Sequence, residues 1–213
     1  MGAMTPPQPA DDDPDPRAWW PLADADDLRD ELVAAWRRDG YHDLRHLTEV
    51  LRRLDELDSA GAAFERLPVL LAAWFHDAVY DGERDAEERS ACWAERALDG
   101  LVDLATVDEV ARLVRLTETH RPDPDDAEGC ALSDADLAIL ASDPVRYAEY
   151  VAAVRREYAH LDDDTFAAGR AEVLHHLAAK PTLFHTAPAR RRWEEPARAN
   201  LRAELDRLMA RVG

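Results

Sequence analysis

The segment Pro68 to Tyr80 reads PVLLAAWFHDAVY and sets an imidazole and a carboxylate, His76 and Asp77, side by side in a run that is otherwise apolar. Burying an unpaired charge costs several kcal/mol or more, so such groups are normally paired or bound to a metal ion. Proline near the start and apolar residues on nearly every side mark the segment as a helix buried all round, with the pair inside it. Adjacent helical residues point about 100° apart, so His76 and Asp77 cannot face one another. Both can reach a cation held between this helix and its neighbours.

The remaining ligands must then come from other helices. Asp136 has Ile139 and Leu140 three and four residues on, which puts its carboxylate on the core side of its helix, whereas Asp134 reads as more exposed. Upstream, His46 borders a buried face with Leu47 beside it and Val50 four residues later, and His42 lies one turn before it. Two imidazoles and two carboxylates make a mixed nitrogen and oxygen set. It suits Mn²⁺, Fe²⁺, Co²⁺, Ni²⁺ or Zn²⁺, with Mg²⁺ also admissible, more than Ca²⁺. The plainer reading of the four is a structural ion-pair network.

The elements that must carry these residues are helices. Leu28, Leu32, Ala35 and Trp36 recur at spacings of three and four between Asp24 and Gly40, and Leu47, Val50, Leu51, Leu54 and Leu57 do so between Tyr41 and Leu57. Amphipathic stretches follow at roughly 85–99, 106–119, 134–141, 144–160, 164–179 and 187–211, broken by proline or aspartate clusters. No segment sustains strand alternation, and no fixed-period repeat suggests a solenoid. The expected fold is all-α, a helical bundle of about eight or nine helices in one domain over 19–213. Residues 1–18 hold five prolines and the Asp11-Asp12-Asp13 run, which predicts a disordered arm; the opening Met1-Gly2-Ala3-Met4 reads as a cloning scar.

Bulk properties narrow the partners. With 45 acidic against 26 basic side chains the formal charge is −19, which repels phosphate polymers and anionic headgroups. Long nucleic acid and membranes are therefore not expected, while a small anion remains compatible, because a bound cation and a few arginines can outweigh the global field locally. Cys92 and Cys130 show no zinc spacing and read as reduced, in a cytoplasmic protein. The longest strongly apolar run, Val69 to Phe75, falls far short of the ~20 residues of a bilayer span. The long helical faces within 144–179 could pair two copies.

The order His, then His-Asp, then Asp on separate helices resembles the HD superfamily of metal-dependent phosphohydrolases, and within it a bacterial family of predicted HD phosphohydrolases. The resemblance is carried by Tyr41 to Leu47 (YHDLRHL), Trp74 to Asp81 (WFHDAVYD), Glu87 to Ala91 (EERSA), Thr117 to His120 (TETH), Asp134 to Leu140 (DADLAIL) and Val154 to Tyr158 (VRREY), within about residues 25–185. It implies a helical fold with His46, His76, Asp77 and Asp136 as metal ligands, and hydrolysis of a phosphate ester or anhydride in a small phosphorylated compound, nucleotides first, by metal-activated water. This sequence departs from the family's pattern in two places. An arginine shortly before the Tyr-His pair and an asparagine before Glu-x-x-Ser are usual, and here Arg38-Asp39-Gly40 and Ala86 stand nearest.

Proton transfer would fall to a carboxylate. Asp81, one helical turn beyond Asp77 and so close to the expected metal, is the first choice and Glu87 the second. His42, His120 and Arg155 are candidates for contacts to the phosphate. Each also has an ordinary reading: Asp81 and Glu87 as caps or solvated acids, His42 as a core histidine, His120 as a helix-end residue favoured by the dipole, Arg155 as a salt-bridge partner. His160, His175, His176 and His185 read as surface or packing residues. Two other functions compete with hydrolysis. One is a metal- or nucleotide-binding regulatory module without turnover. The other is a di-iron oxygenase, which asks for extra histidines between the HD pair and the last aspartate, where this chain has only His120.

Overall fold

The computed structural model describes residues 15–212. Among these, nine α-helices and two 3-10 turns carry the fold and there is no strand. The helices are α1 (Asp26–Trp36), α2 (Leu44–Ser59), α3 (Arg66–Phe75), α4 (Ala86–Leu98), α5 (Leu104–Leu116), α6 (Ala127–Asp136), α7 (Pro144–Glu157), α8 (Asp163–Ala179) and α9 (Ala187–Val212). The all-α bundle expected from periodicity is what forms.

Aspartate sets several of the boundaries. Asp43, Asp103, Asp126, Asp143 and Asp162 each accept a backbone N–H from the first turn of the helix that follows, of α2, α5, α6, α7 and α8 respectively. A cap of this kind is worth about 1 kcal/mol and fixes where the helix starts, so part of the acidity of the chain is used in local structure. At α3 the run from Val69 to Phe75 is buried on every side, against α2, α4, α5 and α6. Trp36 of α1 reaches it through its indole N–H, which donates to the Trp74 carbonyl at 2.9 Å.

Three expectations about local structure are corrected. The helix starting near Pro68 stops at Phe75 instead of Tyr80: Ala78 N–H turns back to Phe75 O at 2.9 Å, and Val79 N–H is taken by Ser90 Oγ of α4 at 3.0 Å. His76 and Asp77 therefore sit just past a helix end, not inside it. The stretch 134–141 is two pieces, the end of α6 and a 3-10 turn over Leu137–Ala141. Finally, residues 15–18 are not disordered. Pro16–Trp19 forms a 3-10 turn in which Trp19 Nε1 donates to Asp55 of α2, and Trp20 packs edge-on against Trp74 at 5.2 Å. The two indoles provide the apolar anchor that the proline-rich composition obscured. The rest of the predicted arm and the cloning scar lie outside the described residues. No helix among the described residues is long and apolar enough to cross a membrane.

Candidate metal centre

Four elements converge behind Trp36 and Tyr41. The Asp43 cap fixes the first turn of α2 by accepting from Arg45 N and His46 N at 2.9 and 3.0 Å. This aims the His46 ring, whose side chain is 2% exposed, into the core. Past the end of α3, His76 Nδ1 lies 2.8 Å from Ala73 O. A carbonyl can only accept, so Nδ1 carries the proton and Nε2 enters the centre as a lone pair. A backbone carbonyl holding the second ring nitrogen is the usual way a ligating histidine is oriented.

His76 Nε2 faces three other potential metal-donor atoms. It lies 3.3 Å from His46 Nε2, 3.4 Å from Asp77 Oδ2 and 3.7 Å from Asp136 Oδ1. His46 Nε2 in turn lies 3.2 Å from Asp136 Oδ1 and 3.8 Å from Asp77 Oδ2. Bonds of about 2.1 Å to a shared ion put neighbouring ligand atoms roughly 3.0–3.4 Å apart for octahedral to tetrahedral angles, so the spacing is close to the edge length of such a shell. His46, His76 and Asp77 form a group able to hold a metal ion, and Asp136 falls within the same distances. Two imidazoles and two carboxylates fit a divalent cation well.

Around these four stand residues of both predicted and unpredicted kinds. His42 stacks on Tyr80 at 4.0 Å between ring centres, and its Nε2 lies 4.0 Å from Asp77 Oδ2. Its Nδ1 lies 3.1 Å from Glu157, which also accepts the backbone N–H groups of Tyr41 and His42 at 2.7 and 2.9 Å. Burial lowers the His42 pKa, but Asp77 and Glu157 more than reverse this and raise it. On the opposite side His120, in left-handed backbone conformation after α5, brings Nε2 to 3.5 Å from Asp136 Oδ2 and Nδ1 to 3.2 Å from Ser133 Oγ. Burial pushes its pKa down. Both predicted histidines thus flank the centre.

The other predicted residues do not join it. Asp81 lies in an exposed turn, because α3 ends early, and both of its oxygens accept from Arg89, at 2.7 and 2.6 Å. That ion pair holds its carboxyl far below the usual range, the wrong direction for a group meant to carry a proton. Glu87 is half-buried in the first turn of α4. Arg155 binds Asp163, Tyr158 O and Leu161 O and covers Phe166, which ties α7 to α8. Its ordinary reading as a salt-bridge partner holds.

Asp134 is a correction in the other direction. It is fully buried, and its two carboxylate oxygens accept from His185 N and Thr186 N, each at 2.7 Å, just ahead of α9. Arg38, Tyr80, Glu157 and Ser133 were not singled out. Arg38 donates to His42 O and to Asp77 O and lies over Trp36 and Tyr80, so an arginine does precede the Tyr-His pair and reaches the turn that bears Asp77. Its place just upstream of Tyr41-His42 was the available signal; Glu157, more than a hundred residues away, stands in the VRREY stretch that carries the resemblance, but its partner there is set only by the fold.

No protein-family model matches this chain, and neither a curated protein nor a solved structure matches it.

Proposed function

We propose that the chain is a metal-dependent phosphohydrolase of the HD type, acting on a small phosphorylated compound with nucleotides as the first class to test. The observation that supports this most directly is the His76 Nε2 atom, turned into the centre by the Ala73 carbonyl and set among three further potential ligand atoms at 3.3–3.7 Å. A divalent ion bound there supplies Lewis-acid polarisation of a phosphoryl oxygen and an acidified water. In the net reaction a P–O bond breaks, water contributes hydroxide to phosphorus, and its proton ends on the departing oxygen. His42, held by Glu157 and facing Asp77, is placed to donate that proton. His120, neutral and held by Ser133, is placed to donate a hydrogen bond to a phosphoryl oxygen, and Arg38 fixes the turn that presents Asp77.

The test has two stages. Metal analysis of the purified protein should find about one ion per chain, and Asp77→Ala should lose it. A panel of nucleoside mono-, di- and triphosphates, cyclic dinucleotides and guanosine alarmones with Mn²⁺, Co²⁺ or Ni²⁺ should then release phosphate or pyrophosphate. Full metal content and activity in Asp77→Ala would overturn the assignment. Thermal stabilisation by a nucleotide without turnover would favour a regulatory binding module, and two irons per chain the oxygenase.

A further inference from the structure

Beside the metal centre, on the far side of His42, lies a second cavity of about 380 Å³ that the metal chemistry does not use. Six of its lining residues carry rings: Tyr41, His42, Tyr80, Tyr150, Tyr158 and Phe166. Two of them are shared walls. His42 reaches toward Asp77 with Nε2, and the Tyr41 ring packs against His46 at 4.6 Å between centres. A molecule in this cavity therefore touches two side chains that themselves contact the candidate metal ligands.

The charge of the cavity is as informative as its shape. Arg170 is the one lining residue with a permanent charge, and it is spent: its guanidinium is bound to Glu204 at 2.8 and 3.2 Å, with Tyr147 hydroxyl donating to the same carboxylate at 2.6 Å. That ion pair is buried beneath the Tyr150 ring. The walls thus offer π-faces and aliphatic surface without free charge. Pockets of ~300 Å³ and above that are mostly apolar with a few polar groups are the ordinary form of a small-ligand site. At the rim Tyr158 and Val173 leave large apolar surfaces in solvent, 40% and 50% exposed, as ligand-binding grooves often do.

We infer that this cavity receives an uncharged planar ring of the substrate, so that the phosphate handled at the metal centre belongs to an aromatic or nucleobase-bearing ester and not to a sugar or polyol phosphate. The inference rests on the proposed hydrolase reading for the phosphate and on the cavity alone for the ring. Stacking between aromatic faces supplies the affinity.

Gly169 of α8 provides a clean way to close the cavity. It lines the wall, and a Cβ placed on it meets no heavy atom within 4 Å. Gly169 is exposed on the open side of the cavity and leucine is a better helix former than glycine, so Gly169→Leu crowds the cavity mouth without disturbing the fold. Val173→Glu, at the rim, is a second variant that sets a charge where the ring enters. The test compares adenosine 5′-monophosphate and 1-naphthyl phosphate with glycerol 3-phosphate in the metal-loaded protein, and follows binding of adenosine and 1-naphthol by titration.

The ring-bearing esters should show the lower KM, and both variants should raise it by about tenfold or more while leaving KM for glycerol 3-phosphate and the metal content unchanged. Preference for adenosine over 1-naphthol would identify a nucleobase site, and the reverse a carbocyclic one; either supports the ring. Glycerol 3-phosphate matching the ring esters, or adenosine and 1-naphthol failing to bind the wild type, would overturn it. Because adenosine and 1-naphthol carry no phosphate, ring binding that Gly169→Leu abolishes in a protein without turnover would sink the hydrolase reading and leave the cavity assignment standing.

Discussion

The proton on His76 Nδ1 is committed to the Ala73 carbonyl, and this decides what the other face of the ring can bind. Replacing Asp136 by asparagine removes one anionic donor at 3.2 Å from His46 and turns an acceptor into an amide that can present N–H to the ion. Asp136→Asn is expected to lower metal content at least tenfold, read by elemental analysis after dialysis, since loss of a direct ligand should exceed the 10–100-fold typical of outer-shell changes. The His42–Glu157 pair makes a different prediction. Glu157 is held below its ordinary value: burial opposes ionisation, and His42 with the two backbone N–H groups outweighs it. His42 is held above its own, despite burial, by Asp77 and Glu157. The Glu157 contribution is present above its unfolded value of 4.5 and lost as pH falls through its lowered folded value. The His42 contribution is complete below its unfolded value of 6.5 and lost as pH rises through its raised folded value. The stability gap between wild type and Glu157→Gln should therefore be widest between those two values, about 1–3 kcal/mol for buried N–H groups left with a weaker acceptor. Melting curves across that window check it, and a gap that grows steadily above pH 7 would contradict the pairing.

Among the elements, α6 shows best what a sequence can and cannot reveal. Its residues from Gly129 to Ala135 are buried without interruption, so a helix of small side chains has no polar face to generate a period. Its start was missed for that reason, although Asp136 was placed correctly by the larger residues after it. The same continuous burial explains why Asp134 was misjudged. It faces the start of α9, fifty residues downstream, and nothing local signals a carboxylate serving as a cap for a distant helix. The length of α3 was misread because an apolar run says where a helix is buried but not where it stops, and the stop is made by Ser90 and the Phe75 turn. The four residues were legible as a candidate set because each member lies beside an unmistakable apolar stripe, and the fold sets the two histidine Nε2 atoms 3.3 Å apart and 3.2–3.8 Å from the two carboxylates. Its supports, Glu157 and Ser133, were not, because ordinary residues become partners only through tertiary contact. Asp134→Asn follows at this scale: an amide keeps one acceptor and sets an NH₂ group against the other backbone N–H. Loss of about 1–3 kcal/mol should appear as a lower Tm with faster amide exchange at 185–189, and unchanged exchange there would show that α9 docks by its apolar face alone.

Over the whole molecule a formal charge of −19 acts against compaction, and two of the carboxylates that make it up, Asp77 and Asp136, stand largely buried in the candidate metal centre. Two kinds of stabilisation should then be separable. Screening is general: moving from low to physiological salt shortens the Debye length to ~8 Å and should raise Tm for wild type and Asp136→Asn alike. Ligation is specific: Mn²⁺ at a hundredfold excess over its Kd adds about 2.7 kcal/mol to wild type, and Asp136→Asn, binding at least tenfold more weakly, should gain about half of that or less. The specific gain also has a pH signature. His46 and His76 must present lone pairs to the ion, so protons compete for the same sites. The Mn²⁺-induced rise in Tm should shrink as the pH is lowered and protons compete for the donor atoms, while the salt-induced rise does not collapse with it. Thermal melts of both proteins at two salt levels and several pH values, each with and without Mn²⁺, test this directly. A Mn²⁺ effect of the same size in Asp136→Asn, or one that salt alone reproduces, would mean that the ion relieves bulk repulsion and is not held by the four residues.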